Sequence, residues 1–189
     1  MKQMKLNFGS GLDYREGWTN IDFNCGVKAD AYFDFAKFPW PLKDNTYDYV
    51  YASHVIEHFS KQDFFKVMEE LHRICKPGAI LEIYTPHFTS ILNLKVPYHY
   101  GAAFGIGTFR IFEEAETGMG ERYSPARFKV LKEELHFVLR DYENYKFLKP
   151  LGWFNFLFNL GGWRFWQMLM ERLFFPGFDE IKFVLKTIK

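Results

Sequence analysis

Short apolar segments recur through the first half of the chain, and glycine, proline or polar residues separate them. Segments of this length that are rich in β-branched and aromatic residues are typical of buried strands. The pattern predicts strands at residues 5–9, 18–23, 31–35, 47–53 and 79–85. Farther along, it predicts a strand or strand pair near 128–138 and a final strand over 180–188, in which Ile181, Phe183 and Leu185 face inward.

Residues 60–75 form the clearest predicted helix. Ser60 is a suitable N-cap, and Asp63, three residues later, completes a capping box. Apolar residues then recur at helical spacing as far as Cys75, and Lys76-Pro77-Gly78 ends the pattern, because proline disfavours helix in the residue before it. A strand, a helix and a strand with such short connections indicate a right-handed parallel crossover. We therefore expect an α/β fold with a mostly parallel central sheet and a ligand crevice at the carboxyl ends of its strands.

Aromatic residues make up 21% of the chain, and they are concentrated in residues 147–178. Residues 163–175 are predicted to form a helix that is apolar on almost every side, and such a helix must be covered. Three interpretations are open for this aromatic-rich C-terminal region. It packs beneath the sheet as ordinary core, it forms a homodimer surface, or it covers a hydrophobic acceptor or lies on a membrane surface.

The chain has 189 residues, which suffices for one domain with a full core. Its formal net charge of +1 gives no electrostatic case for binding nucleic acid. Cys25 and Cys75 form no metal-binding pattern, and we expect free thiols in a reducing compartment. The sequence has neither a signal-peptide pattern nor an apolar run that could span a bilayer, so we expect a soluble cytoplasmic protein.

An apolar strand near the start of the chain runs into Gly9-Ser10-Gly11, and a second strand then ends at Asp22. Glycines let the backbone approach a ligand, and a carboxylate at a strand end accepts hydrogen bonds from both hydroxyls of a ribose. By itself the glycine pair is equally consistent with an ordinary turn. Asp34 follows the third strand, where it caps a turn or accepts a hydrogen bond from an adenine amino group, with Phe35 packed on the ring. This order predicts a nucleoside pocket at the edge of a parallel sheet.

Two later motifs make the pattern more specific. Asp48-Tyr49-Val50 lies in the fourth strand and leads to Glu57-His58, and Lys76-Pro77-Gly78 precedes the fifth strand. With its motifs in this order over residues 5–86, the chain resembles the class I S-adenosylmethionine-dependent methyltransferases. In that family the glycine-rich motif binds the methionine part of the cofactor, the acid after the second strand binds the ribose, and the acid after the third strand binds adenine.

The resemblance implies a Rossmann-like three-layer sandwich formed by residues 1–189 as a single domain. Residues 1–86 are then the cofactor-binding half, and residues 87–189 contribute the acceptor-side loop, the last strands and the aromatic-rich helix. It also implies that S-adenosylmethionine is the cofactor and S-adenosylhomocysteine the product. The implied cofactor-binding residues are Asn7, Gly9, Ser10, Gly11, Asp22, Asp34, Phe35, Ser53 and His54.

The chain departs from the family pattern in its first connection. Asp13 stands where a third glycine is usual, and the gap between Gly11 and Asp22 is too short for a full helix. The sequence therefore predicts a loop or a single turn, and the segment Gly17-Trp18-Thr19-Asn20-Ile21-Asp22 resembles a compact subgroup of the family. Backbone N–H groups of the turn, rather than a helix N-terminus, are then expected to bind the methionine carboxylate.

Methyl transfer to an oxygen or nitrogen requires an acceptor that loses its proton as it attacks, and a histidine of near-neutral pKa suits that task. His54 follows the fourth strand, His87 follows the fifth, and His99 lies in the loop expected to cover the acceptor. We take these three as the candidate catalytic residues, with His99 first, and each has an alternative as a structural histidine. The acceptor is a small molecule or a hydrophobic compound that the sequence does not identify.

Two other functions remain open. The missing third glycine and the short first connection are also consistent with a cofactor-binding partner subunit that lacks catalytic activity. His54-x-x-Glu57-His58 matches a zinc-peptidase pattern, which needs both histidines on one helix face as ligands. Because a strand leads directly into His54 and the helix cap comes only at Ser60, we expect a loop there and assign no metal ligands.

Overall fold

The computed structural model describes residues 3–90, 93, 99, 103–113, 123–137, 154–159, 164–173 and 178–189. These residues form a seven-stranded sheet of order β3-β2-β1-β4-β5-β7-β6, in which β7 alone runs antiparallel to its neighbours. The α/β fold class with a mostly parallel sheet is therefore confirmed. The strands are β1 (Lys5–Phe8), β2 (Thr19–Asp22), β3 (Ala31–Tyr32), β4 (Tyr47–Ser53), β5 (Cys75–Pro86), β6 (Arg127–His136) and β7 (Glu180–Ile188).

The described helices are α1 (Lys61–Ile74), α2 (Phe154–Phe158) and α3 (Arg164–Leu173), with short 3-10 turns at Ile56–His58 and Thr108–Phe112. None of these helices is long and apolar enough to cross a membrane. The helix α1 begins as predicted, because the hydroxyl of its N-cap Ser60 accepts a hydrogen bond from the Asp63 N–H at 3.1 Å and donates one to the Asp63 carboxylate at 2.7 Å.

Two strands differ from the predicted bounds by three or more residues at one end, for local reasons. The strand β5 begins at Cys75 instead of residue 79, because the turn-forming Lys76-Pro77-Gly78 is absorbed by a register shift between Tyr47 and Tyr49 of β4. The strand β3 is shorter than the predicted 31–35. There the Asp34 carboxylate accepts a hydrogen bond from the backbone N–H of Ala36 at 3.0 Å, which turns the chain away from the sheet.

The connection from β1 to β2 contains no helix, as its length predicted. Its residues cover one face of the sheet instead. The Arg15 guanidinium lies 3.6 Å from the ring centroid of Tyr51, and the Trp18 ring packs edge-on against Tyr49 at 5.6 Å. A cation over an aromatic face is attracted by the ring quadrupole, so the loop is held against β4 without helical hydrogen bonds.

Aromatic side chains form much of the core that positions the strand ends. Phe8 of β1 packs against Phe35 with ring centroids 4.5 Å apart, beneath the carboxyl ends of the first strands. Beyond β5, Phe109 packs against Phe183 of β7 at 4.6 Å. Each fully buried aromatic side chain contributes about 1.5–3 kcal/mol relative to an exposed one. Aromatic packing therefore ties both halves of the chain to the same sheet.

The helix α3 is partly buried against the sheet and partly exposed in the lone chain. Gln167 and Met170 are its buried residues, whereas Phe165 is 78% and Leu173 63% exposed. Gln167 fixes the helix to β6 by donating a hydrogen bond to the carbonyl of Glu133 at 2.7 Å. In the described part of residues 147–178, core packing and exposed apolar surface thus coexist. The contact of this region with a second copy or a membrane surface stays a prediction.

The two cysteines should differ sharply in reactivity toward a thiol reagent. Cys25 is exposed, whereas Cys75 is buried, and burial raises the pKa of its thiol to about 12. Because the thiolate is the reactive form, we expect one thiol per chain to react in the native protein and a second only after unfolding. Titration with an aromatic disulfide reagent measures both steps. The Cys25→Ser variant should show no native reaction, and rapid native reaction of two thiols in the wild type would contradict the burial of Cys75.

Candidate active site

The glycine turn lies at the carboxyl end of β1, against the residue that follows β4. Gly9 has a φ of +67°, and a Cβ atom at this position would lie 2.4 Å from Cγ2 of Val55. Gly11 also has a positive φ, of +50°, but the space around its missing side chain is open. Gly9 is therefore required both by the backbone conformation and by close packing, and Gly11 by the backbone conformation alone.

Asp22 ends β2 and faces this turn, as the sequence predicted. Its side chain is buried, and one carboxylate oxygen accepts a hydrogen bond from the Gly11 N–H at 2.7 Å while the other accepts one from the Asn24 N–H at 2.9 Å. Each carboxylate oxygen has a second lone pair, so these bonds leave acceptor capacity for hydroxyl groups. Asp22 thus shapes the turn in addition to offering acceptors at the sheet edge.

Two further residues predicted to bind the cofactor are Asn7, in β1 before the turn, and Ser10, within it. The Asn7 amide donates hydrogen bonds to the Asp13 carbonyl at 2.6 Å and to the Asn20 side chain at 3.1 Å. The amide N–H groups of Asn7 are therefore used in hydrogen bonds that stabilise the turn. The Ser10 hydroxyl oxygen is buried and has no hydrogen-bond partner among the residues that the structure describes. Such an orphaned polar atom fits a turn that a bound ligand completes.

A cavity of about 380 Å³ opens next to the turn. Its walls are mainly apolar, and its size lies in the range of small-molecule sites. Val55, which touches Gly9, forms one wall, so the cavity and the glycine turn share a boundary. The lining residues are Phe23, Asp34, Phe35, Ala36, Val55, His58, Phe59, Ser60 and Asp63.

Asp34 and Phe35 lie in this cavity wall, as predicted. Asp34 is about half exposed, and its carboxylate caps the turn at Ala36 while the other oxygen lies 3.8 Å from the Lys37 ammonium. Phe35 is almost fully buried against Phe8, so its ring supports the wall. The two interpretations of Asp34 are compatible, because a turn-capping carboxylate on the cavity wall retains lone pairs for a ligand amino group.

His54 follows Ser53 at the end of β4 and is held between two buried carboxylates. Its Nε2 lies 3.0 Å from Oε1 of Glu180, and its Nδ1 lies 3.3 Å from Oε1 of Glu57. Burial alone would lower the pKa of this imidazole, but the hydrogen bond to Glu180 and the ion pair with Glu57 raise it to about 10. His54 is therefore an imidazolium at neutral pH. The raised pKa disfavours a role for His54 as proton acceptor, and its predicted catalytic and cofactor-binding roles stay predictions.

His87 does not line the cavity, and its predicted catalytic role stays a prediction. Its side chain is fully buried, with Nδ1 2.8 Å from the Thr89 hydroxyl and Nε2 2.9 Å from the Glu171 carboxylate. Both ring nitrogens are thus engaged. The residue ties the end of β5 to α3, which is the structural alternative for this histidine.

His99 lies close to the cavity through its contact with His58. The two rings meet edge to face with centroids 5.0 Å apart, and His58 lines the cavity. The Nδ1 atom of His99 lies 3.2 Å from the side-chain oxygen of Asn93. Burial lowers the pKa of His99, Glu57 opposes this effect, and His58 and His54 add to it. Of the three candidate catalytic histidines, only His99 combines a position beside the cavity with a neutral ring.

The ligand set of the zinc-peptidase pattern is not assembled, because both ring nitrogens of His54 face carboxylates. The donor cluster that the described residues do form consists of Glu57, His58 and His99, whose ligand atoms lie within 4.8 Å of one another. Glu180, which lies 126 residues from its partner His54, is a site residue that sequence reasoning missed. No local sequence pattern predicts a contact over that distance, although the final strand was predicted to begin at Glu180.

A second cavity, of about 400 Å³, lies between β6 and the helices α2 and α3. Arg110, Glu133 and Gln167 are among its lining residues. Their polar atoms are largely engaged with one another, since Arg110 binds the Glu133 carboxylate at 3.1 Å and Gln167 binds the Glu133 carbonyl. None of the predicted site residues lines this cavity, which lies away from the carboxyl ends of β1, β2 and β4.

The chain matches known proteins by sequence over one segment and by fold over nearly its whole length. Residues 20–83 match a methyltransferase domain family. No curated protein sequence matches the chain. An S-adenosylmethionine-dependent methyltransferase structure from Archaeoglobus fulgidus is 16% identical, with a TM-score of 0.56 over 98% of this chain and 86% of that one.

Two further solved structures show how widely this fold is shared. An S-adenosylmethionine-dependent methyltransferase from Mesorhizobium loti is 10% identical, with a TM-score of 0.58 over 97% of this chain and 90% of that one. The cyclase SpnF is 16% identical, with a TM-score of 0.53 over 98% of this chain and 75% of that one. The matched segment and the shared fold together confirm the resemblance of the chain to the class I S-adenosylmethionine-dependent methyltransferase family.

Proposed function

We propose that this protein is a methyltransferase that moves a methyl group from S-adenosylmethionine to an oxygen or nitrogen of a small acceptor. The fold supports the proposal but does not carry it, because the same fold occurs in a cyclase. The single observation that carries it is the continuity between the glycine turn, Asp22 and the cavity, with Val55 as their shared wall.

The residues present fit an adenosyl group with a methionine tail. Asp22 offers carboxylate acceptors to the ribose hydroxyls, and Asp34 offers one to the adenine amino group. The apolar walls at Phe35 and Val55 suit a flat base. The N–H groups of Ser10 and Gly11 already donate hydrogen bonds to Ile21 and Asp22, so the orphaned Ser10 hydroxyl remains for the polar tail. This combination of apolar walls and separate acceptors discriminates against ligands that lack either the base or the diol.

When bound, S-adenosylmethionine supplies an activated methyl group, so the chain contributes mainly alignment of the two reactants. The acceptor enters from the side where His58 and His99 lie. His99 is the candidate to receive the proton that the acceptor loses, because it lies beside the cavity wall. His54 holds the loop by its bonds to Glu57 and Glu180 and does not touch the acceptor.

Substitution of Asp22 tests the cofactor assignment. We expect wild-type protein to bind S-adenosylhomocysteine in the micromolar range and Asp22→Asn to bind it about tenfold or more weakly. The physical reason is that a charge-assisted hydrogen bond contributes roughly 1.5–3 kcal/mol. The amide of asparagine keeps the side-chain shape and one carbonyl acceptor for the turn, so the variant should fold. Isothermal titration calorimetry of both proteins measures the difference.

Asp44→Ala is the matched control for the loss of a carboxylate. Asp44 is 64% exposed and pairs with Arg73, away from the pocket. Its variant should bind S-adenosylhomocysteine like the wild type. A wild-type protein that unfolds cooperatively yet shows no affinity for S-adenosylhomocysteine or S-adenosylmethionine would refute the proposed function.

The connection between β1 and β2 is described in full and contains no helix. This feature favours one alternative to the proposed enzyme. A cofactor-binding subunit without catalytic activity would use the same pocket and show the same affinity for S-adenosylhomocysteine. The two functions differ in turnover. Transfer of a labelled methyl group from S-adenosylmethionine to any member of a panel of hydroxyl and amine acceptors would exclude the inactive subunit.

A further inference from the structure

Three metal-binding side chains meet beside the cavity. One ligand atom each from Glu57, His58 and His99 lies within 4.8 Å of the other two. Ligand nitrogen and oxygen atoms bind Zn²⁺ at about 2.0–2.2 Å, so neighbouring ligand atoms on one ion are roughly 3.0–3.5 Å apart. Small rotations of the three side chains would shorten separations of up to 4.8 Å to this range. We propose that these three side chains form a site for a divalent transition-metal ion.

The Glu57 carboxylate supplies an independent indication of a ligand. It is 1% exposed, and its Oε1 atom has no hydrogen-bond partner within the described ranges. The other oxygen accepts a hydrogen bond from the Thr85 hydroxyl at 3.2 Å, and Oε1 itself lies 3.3 Å from the His54 ring as an ion pair. A buried carboxylate oxygen without hydrogen bonds is costly. A cation shared with the two histidines would complete its coordination.

Asn93 orients the His99 ring for this role. The Asn93 amide nitrogen donates a hydrogen bond to the His87 carbonyl at 2.6 Å, so its oxygen is the atom that faces Nδ1 of His99, at 3.2 Å. An acceptor at that position favours the tautomer with the proton on Nδ1, which leaves the Nε2 lone pair available. Histidine ligands of metal ions usually donate their other N–H group in this way.

The donor set indicates the class of ion. Imidazole nitrogen suits Zn²⁺, Co²⁺ and Fe²⁺, whereas Mg²⁺ and Ca²⁺ prefer sites made of oxygen. Two histidines and one carboxylate leave one or more coordination positions open, as in catalytic rather than structural sites. His58 is exposed and lines the cavity, so the open positions would face the space where an acceptor enters.

A metal site here narrows the class of acceptor, and in this respect the inference rests on the proposed function. A divalent ion binds hydroxyl oxygen and lowers its pKa, which supplies the deprotonation that a neutral alcohol needs. The acceptor would then be a hydroxyl compound rather than an amine. His58 and His99 would act as ligands, and the acceptor proton would pass to solvent.

Metal binding can be measured without cofactor or acceptor. Chelator-treated wild-type protein is titrated calorimetrically with zinc chloride alone and with cobalt chloride alone. We expect one ion per chain, and we expect His58→Ala and His99→Ala each to weaken binding at least tenfold. His72→Ala is the matched control. This histidine bonds to the Ile188 carbonyl at 2.7 Å, on a different part of the surface, and its loss should leave ion binding unchanged.

Titration of each protein with S-adenosylhomocysteine separates this inference from the proposed function and reports folding. Loss of ion binding in both variants supports the metal site when His99→Ala retains S-adenosylhomocysteine binding and His58→Ala, whose side chain lines the cavity, retains the circular dichroism spectrum of the wild type. Wild-type protein that binds S-adenosylhomocysteine but neither ion overturns the metal site and leaves the function standing. Equal ion binding by the wild type and both variants also overturns it. Ion binding that depends on both histidines in a protein without affinity for S-adenosylhomocysteine supports the site and refutes the methyltransferase.

Discussion

Replacing Glu180 by leucine is expected to lower the free energy of unfolding by about 3–5 kcal/mol. One carboxylate oxygen of Glu180 lies 3.0 Å from Nε2 of His54, and the other lies 3.0 Å from Nδ1 of His136. Glu180 is 1% exposed, and its removal takes a buried carboxylate partner from His136 and from His54, which keeps Glu57 and is 30% exposed. Since domains of this size are stable by about 5–15 kcal/mol, the variant approaches the limit of folding. Urea denaturation followed by circular dichroism measures the change.

Two further variants separate the buried ion pair from a general effect of losing a carboxylate. Glu180→Gln keeps the shape and an oxygen acceptor, so its loss of stability should be smaller than that of Glu180→Leu. Glu16→Leu removes an exposed carboxylate that lies 3.4 Å from Lys28, and exposed pairs contribute about 0–1 kcal/mol. If Glu180→Leu cost no more than Glu16→Leu, the link between β4 and β7 through His54 would have no energetic importance.

Replacing Gly9 by alanine is expected to destabilise the protein by about 2–4 kcal/mol and to weaken S-adenosylhomocysteine binding at least tenfold. An alanine Cβ would lie 2.4 Å from one methyl group of Val55 and 2.9 Å from the other. Overpacking of this kind typically costs about 1–3 kcal/mol, and the left-handed backbone adds roughly 1 kcal/mol. Because Val55 also lines the cavity, its displacement distorts the pocket. Thermal unfolding and calorimetric titration measure the two effects.

Gly17→Ala is the matched control for backbone strain. Gly17 has a φ of +77°, and the space that a Cβ atom would occupy there is open to 4 Å, so alanine adds strain without a clash. The second test is rescue, since Val55→Ala should restore part of the stability that Gly9→Ala loses. Equal losses in Gly9→Ala and Gly17→Ala, with no rescue by Val55→Ala, would show that the contact between the turn and β4 does not matter.

The first half of the fold could be predicted because its signals are local. Ser60 and Asp63 mark the start of α1 within four residues, and the short gap between Gly11 and Asp22 excludes a helix whatever the rest of the chain does. The predicted and observed bounds of β4 agree for the same reason. Where a prediction failed, as for the start of β5, a turn-forming sequence was accommodated by a bulge that only pairing with β4 reveals.

The site could be predicted only as far as its residues are neighbours in sequence. The glycine turn and Asp22 meet through a short loop, and the structure joins them by a hydrogen bond. The environments of His54 and His87 depend on Glu180 and Glu171, which lie in the C-terminal region. A histidine at a strand end looks the same in sequence whether or not a distant carboxylate lies beside its ring. Periodicity and turn chemistry carry no information on such long-range pairs.

The position of β7 has a consequence for how the chain acquires its structure in a cell. Ile80 of β5 pairs with Lys186 of β7, so one edge of β5 stays open until the ribosome has made almost all of the described sequence. Sheets built on such distant pairings fold slowly, and an open apolar edge invites association with other chains. During synthesis β5 is therefore exposed to other chains until β7 is made, and His54 gains its contact with Glu180 only then.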